Sequence, residues 1–318
     1  MFSSLTSKAP TTKKTEKVKQ KAFTDKDYLL NPTDSQLKYD ETVNLKRINQ
    51  HYGQLKLFLS HIKLLLHYRD AKIKNTVLLY IGALPGKNLF YISEMFPDVH
   101  FELYDKKEDR EDVDIKDYDD LLIEKAKNDK SNVKLFYKYF DETDYHKYKG
   151  KDLILCSDIR SLEHSVKDVK KVNDTLESDQ ELQKKWVNDL KPRIAYLKFR
   201  VPYPAKGSPD LYPYLDGHIF KQPYAPTSSS EMRLLVTDPD SKKDWSKIKF
   251  EEQTFYHSLK VRSTKYLDPC TMKSKTDDNK YDYTYMTKVA KEYLNACGLP
   301  DDTRRVRKVV KAWKEIFM

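Results

Sequence analysis

The chain has 318 residues, enough to bury a full hydrophobic core as one large domain or two. Its 59 Lys+Arg against 49 Asp+Glu give a formal charge of +10, which favours a polyanionic partner such as RNA, although a lysine-rich composition can also be a habit of lineage. No apolar run approaches a membrane span and no signal-peptide core is present, so the sequence reads as soluble and intracellular.

Residues 1–25 are Ser, Thr and Lys with almost no large apolar side chains, and read as a flexible basic tail. Residues 26–318 read as a single domain with a C-terminal helical extension. From Tyr52, the run Gly53-Gln54-Leu55-Lys56-Leu57-Phe58-Leu59 continues into Ile62, Leu65 and Leu66, an apolar stripe at helical spacing. Lys56 stands in it where a leucine would be more comfortable.

Val77-Leu78-Leu79-Tyr80-Ile81 is too short for a helix and stops at Gly82-Ala83-Leu84-Pro85-Gly86, so it reads as a buried parallel strand closed by a glycine turn. Gly82 and Gly86 allow a tight turn and close approach to a ligand, and Pro85 can enter the first turn of the next helix. Val99 to Asp105 is a second strand ending in an acid about twenty residues on, where a nucleotide fold grips a ribose. The spacing G-x-x-x-G lacks the third glycine of a pyrophosphate fingerprint. S-adenosylmethionine, an adenosine without phosphates, fits it better than a dinucleotide, and a turn without a ligand is the plainer alternative.

Lys106 to Lys130 reads as surface loop and helix, and Val133 to Tyr137 as a third strand ending near Phe140-Asp141. Asp152 to Asp158 is a fourth strand, burying the Cys156 thiol; with Cys270 and Cys297 it has no metal-like spacing and suggests a reducing compartment. Residues 164–190 read as a helix with Leu176, Leu182, Trp186 and Leu190 inward. Arg193 to Arg200 is a strand carrying Lys198 near its end. Residues 205–230 look irregular and too long for a simple connection. Glu231 opens another strand, a further one is expected over Gln253 to Val261, and Tyr281-Asp282-Tyr283 leads a helix. Arg304 to Phe317 is a basic amphipathic helix that could pack on the domain or bind RNA or a partner.

Strands alternating with helices predict a doubly wound α/β fold, a Rossmann-like sheet with helices on both faces, whose ligands sit beyond the carboxyl ends of the strands. Asp158 and Lys198 lie at such ends. Glu231 joins them if its strand runs antiparallel, and Lys56 can reach them from the preceding helix. Methyl transfer to a ribose 2′-OH needs such a set, because a poor nucleophile must be positioned and relieved of its proton as the methyl is attacked in line. Lys198 is the expected base and Lys56 the neighbouring cation that lowers its pKa; Asp158 and Glu231 would orient the lysines and oppose that depression. Taken singly, each has a plainer explanation, such as a strand-end cap or a snorkelling lysine.

Six blocks occur in order over roughly residues 39–262: Tyr52-Gly53-Gln54-Leu55-Lys56-Leu57; Tyr80-Ile81-Gly82 with Pro85-Gly86; Ser157-Asp158-Ile159-Arg160-Ser161; Lys198-Phe199-Arg200 with Pro202 and Pro204; Gln222-Pro223-Tyr224-Ala225-Pro226; and Glu231-Met232-Arg233-Leu234-Leu235. In these the chain resembles the poxvirus cap-specific mRNA 2′-O-methyltransferase family, whose members also serve as the small processivity subunit of the viral poly(A) polymerase. The resemblance implies a Lys56, Asp158, Lys198 and Glu231 tetrad. It implies S-adenosylmethionine contacts at Gln54, Tyr80, Gly82, Gly86, Asp105, Asp158 and Phe140. Asn88 and Lys107 stand where the family has histidine and arginine. Stacking of a methylated cap guanine falls on Tyr203 and Tyr39, with Glu251 reading its edge, while Ala205 and Ser228 replace a second acid and a tyrosine. Asp210 and Asp216 are the candidate substitutes for that acid. Arg160, Arg200 and Arg233, the arginines of these blocks, are the expected RNA contacts. Implied partners are capped mRNA and a poly(A) polymerase catalytic subunit, in the cytoplasm of a virus-infected cell and in the virion. The competing readings are a 2′-O-methyltransferase of uncapped or ribosomal RNA and a non-catalytic RNA-binding processivity subunit.

Overall fold

The computed structural model describes residues 28–40, 42–43, 52–69, 75–106, 117–161, 168–226, 229–264 and 279–318. Its organising element is an eight-stranded sheet. Five parallel strands form its larger part: β2 (Thr76–Ile81), β3 (Val99–Tyr104), β4 (Val133–Phe136), β5 (Leu153–Ser157) and β6 (Ile194–Phe199). The strands are short and rich in Val, Ile, Leu and Tyr, and nearly every residue in β2, β5 and β6 is buried, as expected of a sheet covered on both faces.

Beyond β6 the sheet turns antiparallel. β9 (Met232–Val236) pairs with β6, β8 (His218–Phe220) with β9, and β1 (Leu29–Leu30) with β8, giving the order β1-β8-β9-β6-β5-β2-β3-β4. The order reverses between β2 and β5, so the carboxyl ends of these two strands flank the crevice where such folds bind ligands. The antiparallel strand anticipated after Glu231 is β9.

Strand alternation divides the core in two. Leu78, Tyr80, Ile154, Cys156, Ile194, Tyr196 and Leu235 face one side, covered by α1 (Gly53–Tyr68), α2 (Lys87–Met95), α6 (Lys280–Ala296) and α7 (Thr303–Phe317). Leu79, Ile81, Leu155, Leu197 and Phe199 face the other, covered by α4 (Val169–Leu190) and by Phe250 of α5 (Lys247–Tyr256). A short α3 (Asp120–Ala126) follows β3. The basic tail lies outside the described residues, as does Cys270; Cys156 and Cys297 are buried thiols. None of the described helices is long and apolar enough to cross a membrane.

Three segments depart from the sequence reading. Residues 205–230 are not irregular throughout: they contain β8 and β7 (Leu211–Leu215), and β7 pairs with β10 (Lys242–Ser246) as a separate two-stranded ribbon. Pro213 sits inside β7, a placement that edge pairing permits and that hides a strand from pattern reading. Gln253 to Val261 is helical instead of extended, finishing α5 and continuing through a π-turn over His257–Val261. Its aromatic and β-branched residues suggest a strand, but Ser246 accepts from the Lys249 N–H and caps a helix whose buried face is Phe250, Gln253, Thr254 and Phe255. In α4, Leu182 is 43% exposed and Val187 takes the inward position beside Trp186.

Candidate active site

The turn after β2 is pressed against the chain leaving β5. Gly82 has φ +79° and Gly86 φ +72°. A Cβ on Gly82 would stand 2.9 Å from the Ile159 backbone nitrogen, so that position demands glycine for both φ and space; at Gly86 the φ alone favours glycine, and a Cβ would press on the tip of Leu122 at 2.7 Å. Pro85 stays outside the helix, because Gly86 is the N-cap of α2. Asp105 follows β3 and accepts from the Leu84 N–H at 3.0 Å, which fastens a carboxylate beside the turn. Gln54, in the first turn of α1, accepts from the Asn88 N–H at 3.0 Å. Tyr80 is buried in β2, and Phe140 is buried against Tyr104, Tyr145, Tyr148 and Trp186.

Asn88 does not face the crevice as the sequence led us to expect. Its side chain is 1% exposed and its amide meets His61 Nδ1 at 3.2 Å. His61 is held neutral, its pKa pushed down to about 3 by burial, with Arg233 adding to the effect. Lys107 lies outside the described residues.

Asp158, Lys198 and Glu231 meet beside this turn for a reason legible in the strand period. Residues 154, 156 and 158, residues 194, 196 and 198, and residues 231, 233 and 235 each keep to one face, and β6 pairs with β9 so that Lys198 lies opposite Arg233. That face carries α1, whose Lys56 points back at it. Lys198 Nζ lies 3.2 Å from Asp158 Oδ1 and 3.6 Å from Glu231 Oε2, and Lys56 Nζ lies 3.2 Å from Glu231 Oε1. All four side chains are between 11% and 17% exposed, so they are enclosed yet still open to a small reactant.

Two arginines complete the cluster. Arg233 is 1% exposed, donates to Asp158 Oδ1 at 2.6 Å and to the Ser157 carbonyl at 3.0 Å, and therefore is not the surface RNA contact expected from sequence. Its position on the inward face of β9 forces it under Asp158. Arg160 reaches Glu231 Oε2 at 3.2 Å and stays 23% exposed. Gln222, unnoticed individually in the sequence, donates to the Glu231 carbonyl at 3.1 Å and accepts from Arg233 Nε at 3.3 Å. The only signal for it was membership of the Gln222–Pro226 block.

Four cations thus surround two carboxylates. Burial works to raise the Asp158 pKa, but Arg233 and then Lys198 overcome it and hold the carboxyl down to about 2. Glu231 is likewise kept well below its usual range despite burial, by Lys56, Lys198, Arg233 and Arg160. Burial lowers the Lys56 pKa; Glu231 and Asp158 oppose that, while Arg233 and Lys198 reinforce it. The surplus positive charge suits an incoming oxygen that becomes an alkoxide as it reacts.

A second group of sequence-singled residues gathers on α5 and the loops facing it. The Leu37 N–H donates to the Glu252 carbonyl, and Gln253 Nε2 donates to the Asn31 carbonyl, strapping the segment before Tyr39 along α5. Tyr39 is half exposed and packs edge-on against Phe255 at 5.2 Å. Tyr203 is fixed through its backbone by Asn173 of α4, which bonds both its N–H and its carbonyl. Arg200 is 6% exposed and lies over the Tyr203 ring, so it too is spent on a protein partner instead of facing RNA. Burial lowers the Arg200 pKa; Glu251 offsets that, Arg160 adds to the lowering, and Tyr39 opposes it. Burial raises the Glu251 pKa, and Arg200 opposes the rise. Ala205 is exposed, Ser228 lies outside the described residues, and Asp210 is occupied in capping α5 through the Ile248 N–H and Ser246 Oγ. Asp216 accepts from the Gly217 N–H.

The sheet order, the antiparallel β9 and the glycine turn facing a strand-end acid define a Rossmann-like methyltransferase fold. The family model described as the poly A polymerase regulatory subunit matches residues 24–317, and the chain belongs to that family. It is 31% identical over 265 residues, 77% of each chain, to a fowlpox virus (strain NVSL) protein named cap-specific mRNA (nucleoside-2′-O-)-methyltransferase. A myxoma virus (strain Lausanne) protein of the same name is 28% identical over 250 residues, 72% of this chain and 68% of that one. Among solved structures, bluetongue virus VP4, described as a multifunctional RNA-capping production line, aligns with a TM-score of 0.39 and 14% identity over 81% of this chain. This chain spans 44% of that protein's length.

Proposed function

We propose that this protein methylates the ribose 2′-OH of the first transcribed nucleotide of capped mRNA, using S-adenosylmethionine. The observation that carries the reading is the convergence of Lys56, Asp158, Lys198 and Glu231 at the carboxyl edge of the sheet, beside the Gly82–Gly86 turn. The names of the fowlpox and myxoma relatives support the same chemistry.

The crevice suits an adenosine-bearing cofactor. Two positive-φ glycines shape the tight turn after β2, and the Asp105 carboxylate, fastened to that turn through the Leu84 N–H, would grip a ribose diol. Gln54, Tyr80, Gly82, Gly86, Asp105, Asp158 and Phe140 would hold the cofactor, which supplies an electrophilic methyl when bound. The chain's own contribution is placement and charge. Lys198 Nζ meets the 2′-hydroxyl and takes or steers its proton, Asp158 and Glu231 fix the lysine's position, and Lys56 with the two arginines stabilises negative charge growing on the oxygen. The Tyr39, Tyr203 and Glu251 group would take the methylated guanine, aromatic faces against its positive ring and carboxylate on its edge.

Labelled S-adenosylmethionine offered with matched RNAs bearing or lacking the methylated cap tests this. Transfer confined to the capped RNA is expected; equal transfer to both would point to a general RNA 2′-O-methyltransferase. The family's description favours a second role in the same molecule, as a regulatory subunit of a poly(A) polymerase. Co-purification with a polymerase catalytic subunit, with longer tails made in its presence, would establish it.

A further inference from the structure

The basic amphipathic helix at the end of the chain divides its labour between its two faces. Val306, Val309, Val310 and Trp313 of α7 are buried, so the helix packs on the domain as one sequence reading held. Its outer face carries Arg304, Arg307, Lys308 and Lys311, all exposed and spaced at three and four residues, which makes a continuous stripe.

Three features set this stripe apart from an ordinary solvated face. It concentrates charge: α7 holds six cations and one acid, whereas α4, seven residues longer, holds four cations and five acids. It also works against its own helix. Arg304, Arg307 and Lys308 lie in the first two turns, at the positive end of the helix dipole, and Arg304–Lys308 and Arg307–Lys311 are like-charge neighbours one turn apart. Among the described residues, no carboxylate pairs with Arg304, Arg307 or Lys308; Asp302 is engaged with the backbone N–H groups of Arg304 and Arg305, and only Lys311 has an acid, Glu315 at 3.6 Å. A pattern that costs stability and gains no partner among the described residues calls for a partner outside the chain.

Finally, the stripe has a fixed relation to the proposed site. Lys87, the first residue of α2 and the neighbour of Gly86, donates to the Ile316 carbonyl at 2.9 Å. Phe317 and Trp313 pack on Phe58, two residues beyond Lys56, with ring centroids 4.8 and 5.2 Å away. The helix is therefore braced against both the cofactor turn and the helix that carries Lys56.

We propose that the outer face of α7 binds the phosphate backbone of the transcript body, downstream of the nucleotide that is methylated. This rests on the reading of the protein as an enzyme of capped RNA. The stripe is on the outward face of the helical layer that covers the sheet, so only RNA long enough to leave the crevice and cross that layer can reach it. Short and long substrates must then behave differently.

The test is the triple variant Arg304→Gln/Arg307→Gln/Lys308→Gln in the full chain. Losing three phosphate contacts to a single strand should lower the slope of log affinity against log salt for a long capped RNA by about 2. KM for that RNA should rise, while turnover and KM on a capped oligonucleotide a few nucleotides long stay at the wild-type value. The melting temperature should hold or increase, since the removed charges repel one another. Unchanged salt slope and long-RNA KM would overturn the proposal and leave the face to solvent or to an acidic protein. A changed slope in a protein that methylates neither RNA would keep the surface and sink the enzymatic reading instead.

Discussion

The charge cluster at the ends of β5, β6 and β9 and the aromatic group along α5 are built on opposite plans. In the first, each carboxylate is held at least twice: Asp158 by Lys198 and Arg233, Glu231 by Lys56, Arg160 and Gln222. These come from strand ends and a helix start, elements with little freedom. In the second, Tyr39 leans on a single ring and is half exposed, and Tyr203 is pinned through its backbone, with the Arg200 side chain against its ring. The difference matches two tasks. Bond-making needs atoms placed within a fraction of an ångström, whereas a flat cationic base can be gripped by faces that adjust.

The strongest way to probe that contrast is to remove a member of the rigid cluster. Lys198→Ala should cut kcat at least about a hundredfold while RNA affinity is retained, because it removes a group acting on the reacting hydroxyl. Activity within a few-fold of wild type would dismiss Lys198 from that role. Arg233→Leu should act on stability as well as turnover. It leaves Asp158 enclosed without its closest cation, at a cost of about 3 kcal/mol in urea melts.

Acid should expose the same dependence. Since the Asp158 pKa is held down to about 2 in the folded chain, its stabilisation is complete above the unfolded carboxyl value of about 4 and is lost as pH falls from there through about 2. That portion of the acid unfolding curve should shrink in Arg233→Leu.

Smaller effects are expected along α5. Glu251→Gln should reduce discrimination between methylated and unmethylated caps by about tenfold, with kcat on saturating RNA unchanged. Because burial raises the Glu251 pKa, wild-type cap affinity should fall as mild acid neutralises that carboxylate, and the variant should lose the dependence. Tyr39→Ala should raise KM for capped RNA about threefold to fivefold, the loss of one exposed cation–π contact. If Tyr39→Ala proved more damaging than Glu251→Gln, the aromatic group would be more rigid than its geometry implies.

The four cluster residues were legible in the sequence because strand period and strand ends are local properties, and the direction of β9 was the one inference needed to unite them. Arg233 was misread because its exposure depends on which face of β9 meets α1, a fact of pairing register and not of composition. The same holds for Asn88, which turns toward His61 inside α2's packing. β7 escaped notice because Pro213 masks a strand that lives on a sheet edge. Gln253–Val261 was read as extended because its aromatic content outweighed, locally, a cap seven residues upstream at Ser246. Membership of the shared blocks marked Arg160 and Arg200 as RNA contacts, but it does not reveal burial: Arg200 lies against the Tyr203 ring, while Arg160 stays partly exposed beside Glu231.

The account depends most on the identity of the accepting oxygen. Two capped RNAs that differ only at the first transcribed nucleotide, one with a ribose and one with a 2′-deoxyribose, should be incubated with the protein and labelled S-adenosylmethionine. Label on the ribose RNA and none on the deoxyribose RNA is the predicted result. Equal labelling of both would mean that the lysines and carboxylates at the sheet edge serve some other acceptor.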